Sequence, residues 1–333
     1  MVLSTPPRAR LVSRRVPRLL ALSFALGLAL VAPSAARAQA VHVLAVTGLS
    51  GEPAYRLLFE SAAATLVDSA RARWHVPDSS VIVLTEDAKS TRIRATGRAT
   101  KEGIAQSFLA LGRRVAPGDV VLVFLAGHGS GEGPDSRVSL PGPDATAADF
   151  AGWLSGFARQ RVVFVNTASG SGDFNAALAG PRRVIVTATR TALERNETRF
   201  AAPFVRGLTS DEADSDKDGR VSVLEAFAYA KKEVARVYET DKLLLTEHAA
   251  ISDSTLARTV TFGAQRGSAP TDPRAALLVA ERSELEAQVA SLRGRKDKMS
   301  PAAYDAELER LLVAVAQKTQ AIRALSGAGS AKP

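Results

Sequence analysis

There is no cysteine in these 333 residues, and there are only two methionines, two tryptophans and four tyrosines. Without a thiol the chain can form no disulfide and mount no cysteine attack, so its stability must come from core size, with a bound metal as the remaining staple. Scarce tyrosine and tryptophan also weigh against a nucleic-acid surface, which sets stacking aromatics beside a basic stripe. The net charge of +9 does not supply that stripe, because residues 1–38 hold six arginines and no acid, and the remainder carries +3. No nucleic-acid partner is expected. A membrane-spanning segment is missing too: the apolar run from Leu19 to Val31 is too short to cross a bilayer.

That run has the build of a secretory signal. Arg8, Arg10, Arg14, Arg15 and Arg18 precede it, and Pro33 leads into SAARAQA, whose small residues suit cleavage after Ala38 or Ala40. SRRVPRLL, Ser13 to Leu20, resembles a twin-arginine signal with Pro17 and Arg18 in place of the usual apolar pair. Residues 1–38 are therefore read as a signal peptide and the mature protein as periplasmic or secreted, with the Sec and Tat routes both open.

Beyond the signal, 46% hydrophobic and 23% charged residues suit one large domain with an appendage. Continuous Val/Ile/Leu runs mark strands at His42 to Thr47, Val81 to Thr85, Val120 to Leu125, Arg161 to Val165 and Arg183 to Thr187. Such runs belong to strands buried on both faces of a parallel sheet. Helical patterns lie between them, over Pro53 to Trp74, Thr100 to Val115, Ala145 to Arg159 and Gly172 to Ala179. The alternation predicts an α/β domain over 41–262, a mainly parallel sheet with helices on both faces.

Sites in such sheets form where strands end. VLVFLAGHGSGEG, residues 121–133, sets His128 between glycines just past a strand. VVFVNTASGSGDF, residues 162–174, opens into a small-residue turn one βα unit later, with alanine where a nucleophile would stand. A histidine on one strand end and a nucleophile on the next is how a hydrolase dyad is assembled. Ser169 and Ser171 flank the vacant position with Asp173 nearby, but neither has the glycines two residues before and after that a serine elbow requires.

The order of these segments resembles the legumain family of asparaginyl endopeptidases, in the caspase-like clan, over residues 41–209. VLAVTGLSGEPAYR is similar to that family's first strand, G-x-x-G loop and Tyr-Arg pair, here Gly48, Gly51, Tyr55 and Arg56. HGS at His128 to Ser130 matches its catalytic-histidine motif, and LPGPDATAADFAGWL resembles its approach to the nucleophile strand. VNTASGSG stands where the family has E-A-C-x-S-G, which puts Asn166 at the glutamate and Ala168 at the cysteine. The resemblance implies a caspase-like α/β/α sandwich with His128 as general base, Gly129 N–H as an oxyanion donor, and Arg56 with Asn166 in the substrate pocket. It also implies that cleavage by the family mechanism is lost, since a methyl group cannot attack a carbonyl. What remains is a pseudopeptidase that binds a peptide or an envelope protein; the alternative is a hydrolase using Ser169 or Ser171 with His128.

DSDKDGRVSVLE, residues 214–225, meets the twelve-residue EF-hand pattern. Asp214, Asp216 and Asp218 would supply carboxylate oxygens to Ca2+, Gly219 the sharp turn, Arg220 its backbone carbonyl, Ser222 a hydroxyl or bridging water, and Glu225 a bidentate carboxylate. Val221 would anchor the loop to the core. With no paired hand, the ion is expected to be structural. In the caspase-like clan the loop at residues 187–200 borders the substrate pocket, so Arg190, Glu194, Arg195 and Glu197 could be recognition residues, but solvated ion pairs are the better account of those charges. His248 has no evident partner in the sequence.

A linker at 263–273 leads to a seam of Leu278, Leu285, Val289, Leu292 and Met299. Ser300 and Pro301 then start a second helix carrying Tyr304, Leu308, Leu311, Val315 and Ile322. Residues 274–326 are predicted to form a C-terminal α-helical hairpin or coiled coil, able to pack on its own domain, hold a partner or form a homodimer.

Overall fold

The computed structural model describes residues 39–216, 218–263, 273–293, 295–296 and 299–328. The expected signal at 1–38 and most of the 263–273 linker lie outside the described residues. In chain order the strands are β1 (Val41–Thr47), β2 (Val81–Thr85), β3 (Gly97–Arg98), β4 (Val120–Ala126), β5 (Gly129–Ser130), β6 (Arg137–Val138), β7 (Ala145–Thr146), β8 (Arg161–Asn166), β9 (Arg183–Thr187) and β10 (Ala250–Ile251). The helices are α1 (Pro53–Trp74), α2 (Lys101–Gly112), α3 (Ala147–Leu154), α4 (Phe174–Leu178), α5 (Ala201–Thr209), α6 (Val223–Thr240), α7 (Ser254–Thr259), α8 (Pro273–Arg293) and α9 (Pro301–Ala328).

Seven strands form one sheet in the order β10-β9-β8-β4-β1-β2-β3, parallel throughout except for the antiparallel edge strand β10. The apolar runs are continuous because both faces are covered. Val43, Ala45, Leu122, Phe124 and Val163 share one core with residues of α1, α5 and α6. Their alternating neighbours Leu44, Val46, Val121, Val123 and Phe164 share the other core with α2, α3 and α4. The chain is therefore α/β, with a mostly parallel sheet flanked by helices.

Helix starts follow their caps. Thr100 Oγ1 accepts the Gly103 N–H at 3.1 Å, so α2 begins at Lys101. The helix expected over 145–159 is shorter: Thr146 and Asp149 close a reciprocal capping box that starts α3 at Ala147, and after Leu154 the chain tightens into a 3-10 turn over Ser155–Phe157 that still buries Phe157 in the core. The predicted helix from Gly172 is likewise reduced to α4. The two-residue strands β3, β5, β6, β7 and β10 have no sequence signal, since two residues cannot display a period.

Going from β1 to β2 the chain steps to one side, and β4 then lies on the other side of β1. This reversal lies at β1, and open α/β sheets form their ligand crevice outside the carboxyl ends of the strands at such a point. Separately, α8 and α9 pack on each other through Val289, Leu292, Tyr304 and Leu311, with Leu285, Met299 and Leu308 against them, as the seam predicts.

Candidate functional site

Three loops meet at the crevice. Gly48 follows β1, His128 follows β4, and Ala168 follows β8. The first two approach so closely that a Cβ at Gly127 would lie 3.4 Å from the Gly48 backbone, and one at Gly48 would strike the Ser139 carbonyl oxygen at 2.5 Å. The His128 ring stands edge-on to Tyr55 and Phe59, with centroids at 4.8 and 5.3 Å, and its Nε2 lies 3.2 Å from the Ser50 carbonyl oxygen. Aromatic packing and that carbonyl fix the ring's orientation.

Ala168 is fully buried, and a Cβ at Gly129 would sit 3.3 Å from its methyl carbon. Gly129 and position 168 are thus neighbours, with His128 one residue back along the chain from Gly129. The Ala168 N–H donates to Asn166 Oδ1 at 3.0 Å, which sets the direction of that amide. Asn166 Nδ2 is then a buried donor with no hydrogen-bond partner among the described residues. A carboxylate at 166 would leave no such donor.

The candidate serines turn elsewhere. Ser169 Oγ lies 3.4 Å from both the N–H and the carbonyl of Gly129, and Ser171 Oγ lies 3.3 Å from Thr189 Oγ1. Among the described residues, neither hydroxyl pairs with His128. Asp173 accepts the Gly133 N–H at 2.6 Å, so it works as a loop brace.

Arg56 reaches Glu86 Oε1 at 3.4 Å and is about half exposed. The other Glu86 oxygen takes the Ser50 N–H at 3.1 Å and the Ser50 hydroxyl at 2.5 Å. Glu86 was not foreseen, although an acid just past a buried strand, in VIVLTED, was a usable signal. The 187–200 loop contributes Glu197, whose negative charge raises the Tyr55 hydroxyl above its ordinary pKa. Arg195 pairs with Glu132 at 3.3 Å, Arg190 is exposed, and Glu194 pairs with His248 Nδ1 at 3.4 Å while accepting the His248 N–H at 2.7 Å. His248 therefore has a partner after all, 54 residues away.

A scan against protein-family models and a search of curated proteins find no match. Among solved structures, the chain is similar to protein GSU0716 from Geobacter sulfurreducens, with 12% identity, 71% of this chain and 96% of that chain covered, and a TM-score of 0.39. Among the described residues, no helix is long and apolar enough to cross a membrane.

The second cluster is the acidic loop between α5 and α6. Asp214, Asp216 and Asp218 offer carboxylate oxygens that all lie within 4.8 Å of one another, a set that could hold a metal ion. Gly219 makes the turn at φ +82°, where a β-carbon would be strained, and Val221 packs against the core below. Asp216 is pushed up to about 6 by burial and by Asp218, as expected of crowded carboxylates lacking enough positive charge. Glu225 is not one of this trio, although it accepts the Asp216 N–H at 3.3 Å. One of its oxygens takes the Ser215 N–H and hydroxyl, both at 2.9 Å, and the other the Ser222 N–H at 2.9 Å and hydroxyl at 2.8 Å. Burial opposes its ionisation, but the hydrogen bonds from Ser222 and Ser215 win and hold it below the ordinary range. Glu225 and Ser222 thus close a capping box on α6, and the Arg220 side of the turn is exposed.

Beneath the 187–200 loop lies Glu247, buried, with one oxygen accepting the Arg199 N–H at 2.7 Å and the other without a hydrogen-bond partner among the described residues. Burial pushes its carboxyl from 4.5 up to about 7, against the pull of that N–H and of the nearby Tyr238 hydroxyl. With the folded value above the unfolded one, the stabilisation is complete below about pH 4.5 and is lost as pH rises through 7. Glu247→Gln keeps an acceptor for Arg199. It is expected to leave stability at pH 4 unchanged and to raise it by about 2–3 kcal/mol at pH 8. Urea titrations across that range check this, and a pH slope that survives the substitution would overturn it.

Proposed function

We propose that this chain is an exported, legumain-like pseudopeptidase, a caspase-like α/β/α domain whose crevice holds a peptide or an envelope protein partner. The observation that carries this reading is Ala168. A fully buried methyl stands just past the end of β8, beside Gly129, and the residue before Gly129 is a histidine oriented by Tyr55, Phe59 and Ser50. A crevice built to aim an imidazole, with no nucleophile before it, suits binding without turnover. Arg56 on the same wall, braced by Glu86, offers a cation to an incoming carboxylate or amide. The serine alternative gains no support, because both hydroxyls are engaged with other groups.

The acidic loop is proposed to take a structural calcium ion. Its donors are all oxygen, which suits a hard cation: Asp214, Asp216 and Asp218 are gathered, and the Arg220 carbonyl and Ser222 lie at the next ligand positions. Glu225 would complete the set by turning from its capping box. The ion would supply positive charge and would tie α6 to the loop before it.

Asparaginyl and aspartyl peptides, offered to the purified mature protein with and without calcium, are expected to bind and to remain uncut. Arg56→Ala should weaken binding about tenfold or more, the loss of a charge-assisted hydrogen bond. Peptide turnover abolished by His128→Ala would overturn the reading.

A further inference from the structure

The acidic loop is already in contact with a cation of the chain itself. Arg282 of α8 is almost wholly buried, its side chain 3% exposed, and its Nη2 lies 3.2 Å from Asp218 Oδ2 and 3.9 Å from Asp216 Oδ2. These are two of the three carboxylates that could hold a metal. The hairpin that carries Arg282 keeps its hydrophobic cluster inside itself, formed by residues of α8, α9 and their turn. Among the described residues, α8 packs chiefly on α9. The buried guanidinium ties the hairpin to the loop at Asp218 and Asp216.

We propose that Arg282 is a tethered competitor for the divalent cation. Its guanidinium holds the hairpin against the loop while no metal is bound, and metal binding expels it and frees that end of the hairpin. This rests on the calcium reading above. A calcium ion takes carboxylate oxygens at about 2.3–2.6 Å and needs them turned inward together, whereas the guanidinium draws two of them toward α8. The dication is the stronger partner for the same oxygens, but the arginine is present at the high effective concentration of a tethered group. Apparent calcium affinity is then reduced by the fraction of loops that Arg282 occupies. The hairpin position and the metal are coupled through one side chain.

The test uses the full mature chain, in which the absence of cysteine makes paired spin labelling direct. Labels at Glu239→Cys on α6 and Glu284→Cys on α8, both exposed, report the hairpin by pulsed electron resonance. Calcium titrations by calorimetry then compare wild type, Arg282→Gln, Arg282→Lys and Glu225→Gln. Arg282→Gln is expected to bind calcium roughly tenfold or more tightly than wild type, with Arg282→Lys between them. Calcium should lengthen and broaden the label distance in the wild-type background, and Arg282→Gln should show that broadening without metal. If wild type and Arg282→Gln bind equally well and the distance does not move, the competition is wrong while the calcium site stands. If no variant binds and Glu225→Gln is indistinguishable from the rest, the calcium reading itself falls.

Discussion

Ala168→Cys is expected to give a thiol whose alkylation at pH 6 is about tenfold faster than that of the same thiol in a His128→Ala background. An unperturbed cysteine with a pKa near ~8.5 is thiolate only in a few parts per thousand at that pH, whereas one lowered to about 6 by a neighbouring imidazolium is half ionised. Intrinsic nucleophilicity falls with basicity at a Brønsted slope of about 0.4–0.5, so most of a hundredfold gain in thiolate is given back. What survives is near tenfold. The Ala168 methyl faces Gly129, a residue without a side chain, and the next residue back is His128. The variant pair also separates a usable crevice from a merely reactive thiol. Cleavage of an asparaginyl peptide by Ala168→Cys, abolished by His128→Ala, would mean that only the nucleophile was missing. Equal alkylation rates in the two backgrounds would remove His128 from the dyad position.

The parts of this molecule that were legible in its sequence are those whose cause is contiguous. β2, β9 and α1 fall where their residues predict, since a buried run, a proline at a first turn and an apolar period are each written within one segment. The three loop aspartates are legible for the same reason: Asp214, Asp216 and Asp218 meet because a five-residue stretch bends around Gly219. His128 and Ala168 follow separate strands, but both strands announce themselves, and their ends can be aligned once β4 and β8 are neighbours. The partners of these residues are different. Glu86 reaches Arg56 from 30 residues away, Glu194 reaches His248 from 54, and Asp218 meets Arg282 from 64. No local period or motif encodes those meetings. They follow from how layers pack, so the charges of the 187–200 loop could be read only as ambiguous.

The largest stability effect is expected from a methyl group at Gly172. A Cβ there would lie 2.2 Å from the Arg190 carbonyl carbon, 2.3 Å from its oxygen and 2.3 Å from the Thr191 nitrogen. All three are backbone atoms, so no rotamer relieves the clash and one loop must leave the other. Gly172→Ala should cost about 3 kcal/mol or more, the upper end of overpacking. Gly152→Ala is the control. It lies in α3 with nothing within 4 Å of its added carbon, and alanine in a helix should stabilise by about 0.5–1 kcal/mol. Opposite signs from the same substitution, read by urea denaturation, isolate the contact from glycine's flexibility, and a loss under about 1 kcal/mol at Gly172 would show that the loops can part cheaply. The position also says why the crevice keeps its form with alanine at 168. The turn is held by the Gly172 N–H on Thr189 Oγ1 at 2.9 Å, by the Gly170 N–H on the Glu194 carbonyl at 2.8 Å, and by the bare backbone contact at Gly172. None of these involves the side chain at 168, so the bonds that hold the turn do not depend on it.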